Sequence, residues 1–253
     1  MHPASVGFQC PECVAEGRRT QRQPRTMAGG LVPASAGQVT KALIGINVVV
    51  FLAVLGSGGY DSPLVRELVL FSADRVRWGD TIVTGVDGGA WWRLITATFL
   101  HERLLHLLFN MYALWIIGPQ LERMLGYVRF VALYVTCALA GSVAVLWFTA
   151  PNVPTLGASG AIYGLFGAAF LIARARGGDL TAWAVLLGLN LVITFAVPNI
   201  SWQGHLGGLV AGLLLGAVLA HAPRRHRDLA QGLAFAGLWA VLVAAVVVHT
   251  TMA

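Results

Sequence analysis

Charge is scarce in this sequence. Only 11% of its 253 residues are Asp, Glu, Lys or Arg, where a soluble domain carries about 25%. A chain this poor in charge cannot cover itself with a water-soluble surface. With 57% hydrophobic residues and a mean hydropathy of +0.72, it reads as an integral membrane protein. Acids are scarcest of all. No carboxylate occurs from Arg123 to Gly178, nor from Leu180 to Arg227. No catalytic triad with a carboxylate can be drawn from those stretches. The helix midplanes lack charged groups and the chain lacks internal repeats, which argues against a small-solute transporter.

What is present is apolar length. A spanning helix takes about 20 apolar residues, and seven stretches qualify, at roughly 40–57, 103–119, 127–149, 157–173, 180–197, 204–221 and 231–250. The expected fold class is all-α, a polytopic membrane helix bundle. Residues 1–37 hold Arg18, Arg19, Arg22 and Arg25 but no leading apolar core, so no signal peptide is expected there. The net charge of +6 does not call for a nucleic acid. Its basic residues cluster before the first span and in alternate connections: Arg123 and Arg129, Arg174 and Arg176, then Arg224, Arg225 and Arg227. The other short connections, Pro151–Thr155 and Pro198–Gln203, carry no Lys or Arg. The positive-inside rule then predicts a cytoplasmic N-terminus and an extracellular C-terminus. The long connection from Gly58 to Arg103 falls outside. It carries Trp78, Trp91 and Trp92 and is expected to be structured, with tryptophans suited to a membrane interface.

Chemistry concentrates in two short runs. In Gly157-Ala158-Ser159-Gly160-Ala161-Ile162-Tyr163-Gly164 a serine sits among small residues at the head of an apolar stretch. In Gly204-His205-Leu206-Gly207-Gly208 a histidine does the same. A hydroxyl and an imidazole on separate membrane helices suggest nucleophile and base. From Ser159 to Arg174 the helix rises about 22 Å at 1.5 Å per residue, short of the ~30 Å hydrocarbon core. With the arginines at one face, Ser159 must lie below the other, at the floor of a pocket open to water. The preceding Pro151–Leu156 must dip inward, which is tolerated only inside protein or along a wet cavity. His205 enters from the same side, after the polar run Asn199–Gln203. Gly204, Gly208, Gly212 and Gly216 form one small face, answered by Gly160, Gly164 and Ala168. Pairing these faces brings Ser159 beside His205. The cleared space is then a helix contact as much as a substrate slot.

Rival motifs fit less well. The serine run is not the G-x-S-x-G elbow of α/β-hydrolases, since its last position is alanine and a helix surrounds it. The dyad Ser159–His205 therefore needs something other than a carboxylate to hold the imidazole. Tyr163, one turn after Ser159, can stack on it. His101-Glu102-Arg103-Leu104-Leu105-His106 has one residue too many for H-E-x-x-H, and its histidines diverge by about 140° around a helix. His106 and Asn110 are spaced i and i+4 and can both donate to an oxyanion. A polar pair stitching helices together is the competing explanation for either alone. His221 and His249 lie near helix ends, where exposure accounts for them.

Together these residues resemble the rhomboid family of intramembrane serine proteases, over roughly residues 40–221. Gly157-Ala158-Ser159-Gly160 is similar to the family's GxSG, and Gly204-His205 with Gly208 to its sixth-helix motif. The resemblance implies Ser159 as nucleophile and His205 as general base. It implies His106 and Asn110 in the oxyanion hole with the Ser159 N–H. It implies supporting roles for Gly157, Gly160, Gly204, Gly208 and Tyr163, and for Trp92-Arg93 in the first external loop. His101 and Glu122 correspond to structural residues before and after the second helix. The implied architecture is a six-helix core, 38–222, plus one extra helix, 223–253, behind a cytoplasmic tail, 1–37. The implied activity is cleavage of single-pass transmembrane proteins in the bilayer through an acyl-enzyme, with no cofactor for catalysis. The alternative is a catalytically silent relative that binds membrane proteins. Arg, Gly and Ala richness suggests a bacterial source, of actinobacterial type.

The tail holds Cys10-Pro11-Glu12-Cys13, half of a four-ligand zinc site. Cys137 belongs to a membrane span, and His2 is the one nearby extra ligand. Redox chemistry would need a thioredoxin-like βαβ context, which is absent. Cys10 and Cys13 are expected to be a partial zinc knuckle.

Overall fold

The computed structural model of the chain describes residues 1–20, 24–198 and 200–253. Arg22 and Asn199 lie outside the described residues. A small hairpin of β1 (His2–Pro3) and β2 (Phe8–Gln9) leads into α1 (Pro11–Thr20). The first long apolar helix is α2 (Gln38–Gly56). The 58–103 connection folds into α3 (Pro63–Leu68), an antiparallel hairpin of β3 (Arg75–Trp78) and β4 (Thr81–Thr84), and α4 (Arg93–Thr96). There follow α5 (Leu104–Leu125), α6 (Tyr127–Phe148), α7 (Ser159–Ala175), α8 (Thr181–Ala196), α9 (Trp202–His221) and α10 (Arg227–Met252).

Helices α2, α5, α6, α9 and α10 are long and apolar enough to cross a membrane. Helices α7 and α8 are apolar but shorter, at 17 and 16 residues. The chain is a multi-pass membrane protein built as an all-α bundle. Its seven apolar helices fall on the seven predicted stretches, with one sizeable boundary error. Helix α5 was expected to stop near 119 but runs on to Leu125, through Pro119. The proline removes one intrahelical donor, and the Gln120 side chain donates to the Ile116 carbonyl in the same turn, at 2.9 Å. A single residue, Gly126 at φ +80, separates α5 from α6. Arg123 and Arg129 therefore sit on helix ends, with no loop between them.

Helix α6 is the centre of the bundle. Of its spanning window 72% is buried, against 11% for α10, which lies at the periphery. Helices α7 and α9 pack on α6 and on each other through residues without side chains. A Cβ on Gly208 would overlap the Gly160 carbonyl, and one on Gly212 the Gly164 carbonyl. A Cβ on Gly216 would stand 2.6 Å from Ala168 Cα. Gly141 of α6 closes the junction: a Cβ there would meet the Gly204 carbonyl at 2.8 Å and Gly160 Cα at 3.4 Å. The two glycine ladders expected to pair do pair, in register.

The 58–103 segment carries its own small core of Val65, Val69, Phe71, Val83 and Leu100, seated against Val54 of α2. Arg93 pins it. That side chain is buried, donates from Nη1 to the carbonyls of Arg66 and Val69 at 2.7 and 2.8 Å, and from Nε to Thr84 at 2.9 Å. Its guanidinium lies 4.9 Å over the Phe71 ring. Trp92 donates to the Glu67 carbonyl at 3.0 Å. Glu122, also buried, accepts from the Gly37 and Thr40 backbone N–H groups at 2.9 and 2.6 Å and from the Thr40 hydroxyl. It thus caps the N-terminus of α2, which has no side-chain cap of its own. The expected pairs of arginines gather at this end: Arg123 and Arg176 line one cavity with Met27, and Arg25, Arg224, Arg225 and Arg227 another.

Gly212→Ala should lower the thermal unfolding midpoint in detergent by several degrees, for a cost of about 1–3 kcal/mol of overpacking. Gly232→Ala, where an added Cβ meets nothing, serves as the control and should leave the midpoint unchanged or slightly raised. Equal midpoints for the two variants would show that the ladder contact does not hold α7 to α9.

Candidate active site

Ser159 is the first residue of α7. The approach to it is irregular, as the helix-length argument requires, and its backbone groups are satisfied by the 58–103 segment. Leu70 and Thr155 exchange N–H···O bonds at 3.1 and 2.7 Å, Ala73 donates to Pro151 at 3.0 Å, and Gly157 donates to Ala97 at 2.9 Å. Gly157 then turns the chain at φ +124, a conformation that glycine alone adopts without strain. His205 lies in the first turn of α9, whose N-terminus is capped by the Ser201 hydroxyl accepting from Gly204 N–H at 3.3 Å.

The two meet. Ser159 Oγ lies 2.7 Å from His205 Nε2. The Tyr163 ring stacks on the imidazole, with centroids 4.1 Å apart and planes within 14°. The expected face-to-face placement of Tyr163 is observed. The other ring nitrogen, Nδ1, faces the hydroxyl of Thr194 at 2.8 Å. The Tyr163 hydroxyl sits 2.5 Å from both Thr194 Oγ1 and the Asn190 carbonyl. Thr194 has one sequence signal, a hydroxyl near the C-terminal end of an apolar helix, eleven residues ahead of His205.

His106 also reaches the site. A Cβ on Gly157 would stand 2.8 Å from His106 Nε2 and 3.8 Å from Ser159 Oγ. The glycine therefore leaves open one spot flanked by both groups. Asn110 is less simply placed. Its side-chain N–H₂ donates to the His106 carbonyl at 3.0 Å, so one of its two donors is committed to its own helix. His101 packs edge-on against His106, with centroids 4.9 Å apart. Burial, and then His106, holds His101 far below the usual histidine range, at about 3, so it is neutral at pH 7. Gly160, Gly204 and Gly208 form the helix junction beneath Ser159 and His205. Trp92, Arg93 and Glu122 lie away from it, in the roles described above.

Two expectations need correction. Cys10 and Cys13 lie side by side as a sulfur pair, and among the described residues no group of three His, Cys, Asp or Glu is placed to hold a metal. Two ligands from one turn cannot complete a tetrahedral site, so the partial zinc knuckle is unsupported. His249 is not a merely exposed helix end. It stacks edge-on against Trp147 with centroids 5.2 Å apart, and its Nε2 lies 3.5 Å from Asp87, joining α10 to the 58–103 segment.

The family described as "Rhomboid domain" matches residues 88–222, the stretch that contains every residue of the site. Over 188 residues the chain is 35% identical to Rhomboid protease GluP of Bacillus subtilis, covering 71% of this chain and 34% of that protein. It is 35% identical over 159 residues to Putative rhomboid protease YdcA of the same organism, covering 60% of this chain and 80% of that one. It is 31% identical over 220 residues to Rhomboid protein 1, mitochondrial, of Saccharomyces cerevisiae, covering 78% and 57% respectively. The chain thus spans only about a third of GluP.

The neutral, buried His101 predicts an acid sensitivity. Unfolded, this histidine takes up a proton below about pH 6.5; folded, it resists until about 3. Its contribution to stability is present above pH 6.5 and is lost as pH falls from there toward 3. The unfolding midpoint should drop with acidification over that window, and His101→Asn should flatten the slope. An unchanged slope would remove His101 as its source.

Proposed function

The chain belongs to the rhomboid family, and on that footing we propose that it is an intramembrane serine endopeptidase acting through Ser159 and His205. One observation carries the reading: a serine hydroxyl 2.7 Å from a histidine nitrogen, at the head of a helix too short to reach both membrane faces.

Ser159 donates its proton to His205 Nε2 and its oxygen attacks the scissile carbonyl. The oxyanion forms in the space beside Gly157, where His106 and the Ser159 N–H donate to it. The N–H of the first helical residue is free for this purpose, and the helix dipole favours negative charge there. Asn110 offers its remaining donor. As the tetrahedral intermediate collapses, the peptide C–N bond breaks and His205 gives the proton to the leaving amine. His205 then takes a proton from water, whose oxygen attacks the acyl-enzyme, and returns it to the Ser159 oxygen as the new carboxylate leaves. Because the serine is recessed, a substrate must expose an unwound peptide bond to reach it. That favours single-pass transmembrane proteins with a small residue before the cleaved bond and weak helix beyond it, as the family resemblance implies. No cofactor takes part in these steps.

We assign 38–222 to the protease core and 223–253 to an added helix. The arginines gathered at the end opposite Ser159 support a cytoplasmic N-terminus and an extracellular C-terminus, with cleavage near the outer face.

Purified protein in detergent or lipid should cleave a transmembrane model substrate and take a fluorophosphonate label on Ser159. Ser159→Ala should abolish both, lowering the rate by about 10³-fold or more, with an unchanged melting midpoint. His106→Ala should cost about 10²-fold. A folded wild-type protein that neither cleaves nor labels would establish the silent, membrane-protein-binding alternative.

A further inference from the structure

Helix α8 is a polar anomaly. Of its sixteen residues, Thr194 is the one that is buried; the large side chains Val185, Leu189, Val192, Ile193 and Phe195 are all exposed. An apolar helix that seats itself by a hydroxyl needs a reason. Thr194 has an ordinary local partner, the Asn190 carbonyl one turn back at 2.9 Å, a common habit of threonine in helices. Its oxygen also faces His205 Nδ1 at 2.8 Å, and that contact crosses from α8 to α9.

The proton inventory fixes the direction of the contact. For Nε2 to accept the Ser159 proton it must be bare, so the neutral imidazole carries its hydrogen on Nδ1. That N–H needs an acceptor. A hydroxyl oxygen has two lone pairs and one hydrogen, and Thr194 can accept from Nδ1 while its own hydrogen goes to the Asn190 carbonyl. The Tyr163 hydroxyl, 2.5 Å from both Thr194 Oγ1 and the Asn190 carbonyl, supplies a further donor to one of them. Every hydrogen in the cluster then has one acceptor. The opposite tautomer would put a hydrogen on Nε2 and leave Ser159 with no base.

We propose that Thr194 is the positioning residue of the dyad, taking the orienting role that a carboxylate plays in a triad. It fixes the His205 tautomer and ring angle, and when His205 receives the serine proton the Nδ1–H remains on Thr194. The negative charge this requires is partial, provided by a hydroxyl backed by a carbonyl near the C-terminal end of α8, where the helix dipole is negative. No proton passes to Thr194. Since Thr194 is also the buried anchor of α8, the seat of that helix and the competence of His205 are one contact. This proposal deepens the dyad reading and rests on it for its kinetic consequence.

The test uses the full chain with two substitutions, one isosteric and one that keeps the hydroxyl at the loss of a methyl group. Thr194→Val keeps the shape and removes the hydroxyl; Thr194→Ser keeps the hydroxyl. Thr194→Val should lower kcat about 10- to 100-fold with KM within about twofold and a melting transition that stays cooperative at a somewhat lower midpoint, and Thr194→Ser should recover most of the lost kcat. In parallel, ¹⁵N NMR of the His205 ring at neutral pH should show Nδ1 protonated and Nε2 bare in the wild type, and a tautomer mixture in Thr194→Val. Unaltered kcat in Thr194→Val, equal impairment in Thr194→Ser, or an unaltered tautomer would each overturn the positioning role. A wild type that fails to cleave, with a tautomer that still depends on Thr194, would overturn the protease reading and leave the positioning role standing. Cleavage that survives Thr194→Val would do the reverse.

Discussion

The approach of two helix backbones governs this molecule. Helices α7 and α9 touch where glycine faces a carbonyl, and Gly141 of α6 meets both at the same level. Between membrane helices the hydrophobic effect supplies no net drive, so association rests on close packing and on weak C–H···O contacts that only small residues permit. Ser159 precedes Gly160 by one residue and His205 precedes Gly208 by three. The packing register that seats those glycines therefore also sets the serine-to-histidine distance. A shift of one turn along either ladder would keep a plausible helix pair and separate the two groups by about 5 Å.

Around that junction the protein avoids formal charge. A carboxylate beside His205 would have to be desolvated in an apolar bundle, which is expensive unless fully paired. A ring of neutral groups does the holding instead: a stacked tyrosine, a threonine hydroxyl and a main-chain carbonyl. The acid that is buried, Glu122, sits away from the dyad, where backbone N–H groups at the start of α2 meet its oxygens. Arg93 is treated likewise, surrounded by three carbonyls and an aromatic face. Buried charges thus brace the scaffold, and the reacting groups are set among neutral ones.

Much of this was legible in the sequence because its signals are local. Seven apolar runs, a serine and a histidine each heading a glycine ladder, and an arginine-bound short helix all follow from composition and spacing. Thr194 was not legible, because a single threonine in an apolar helix is unremarkable until another helix is packed against it. The interior of residues 58–103 was hidden for a similar reason: Arg93 finds its carbonyls through chain separations of up to 27 residues, which no periodicity reports. Pro119 was misleading, since a proline reads as a helix end, yet α5 runs on through it to Leu125. His249 was dismissed on its place near a terminus, but Trp147 and Asp87 cover it.

The serine and its histidine partner stand 46 residues apart in the chain, on helices separated by α8. Synthesis runs at about 5–20 residues per second, so Ser159 exists for roughly two to nine seconds before His205 is made. During that interval the hydroxyl has no imidazole beside it, and the glycine face of α7 that α9 will cover is unpaired. The approach of α9 therefore closes the glycine ladder on α7 and brings the imidazole to the serine in one event, before α10 is made. A chain that stops short of α9 holds neither that helix junction nor the serine–histidine pair.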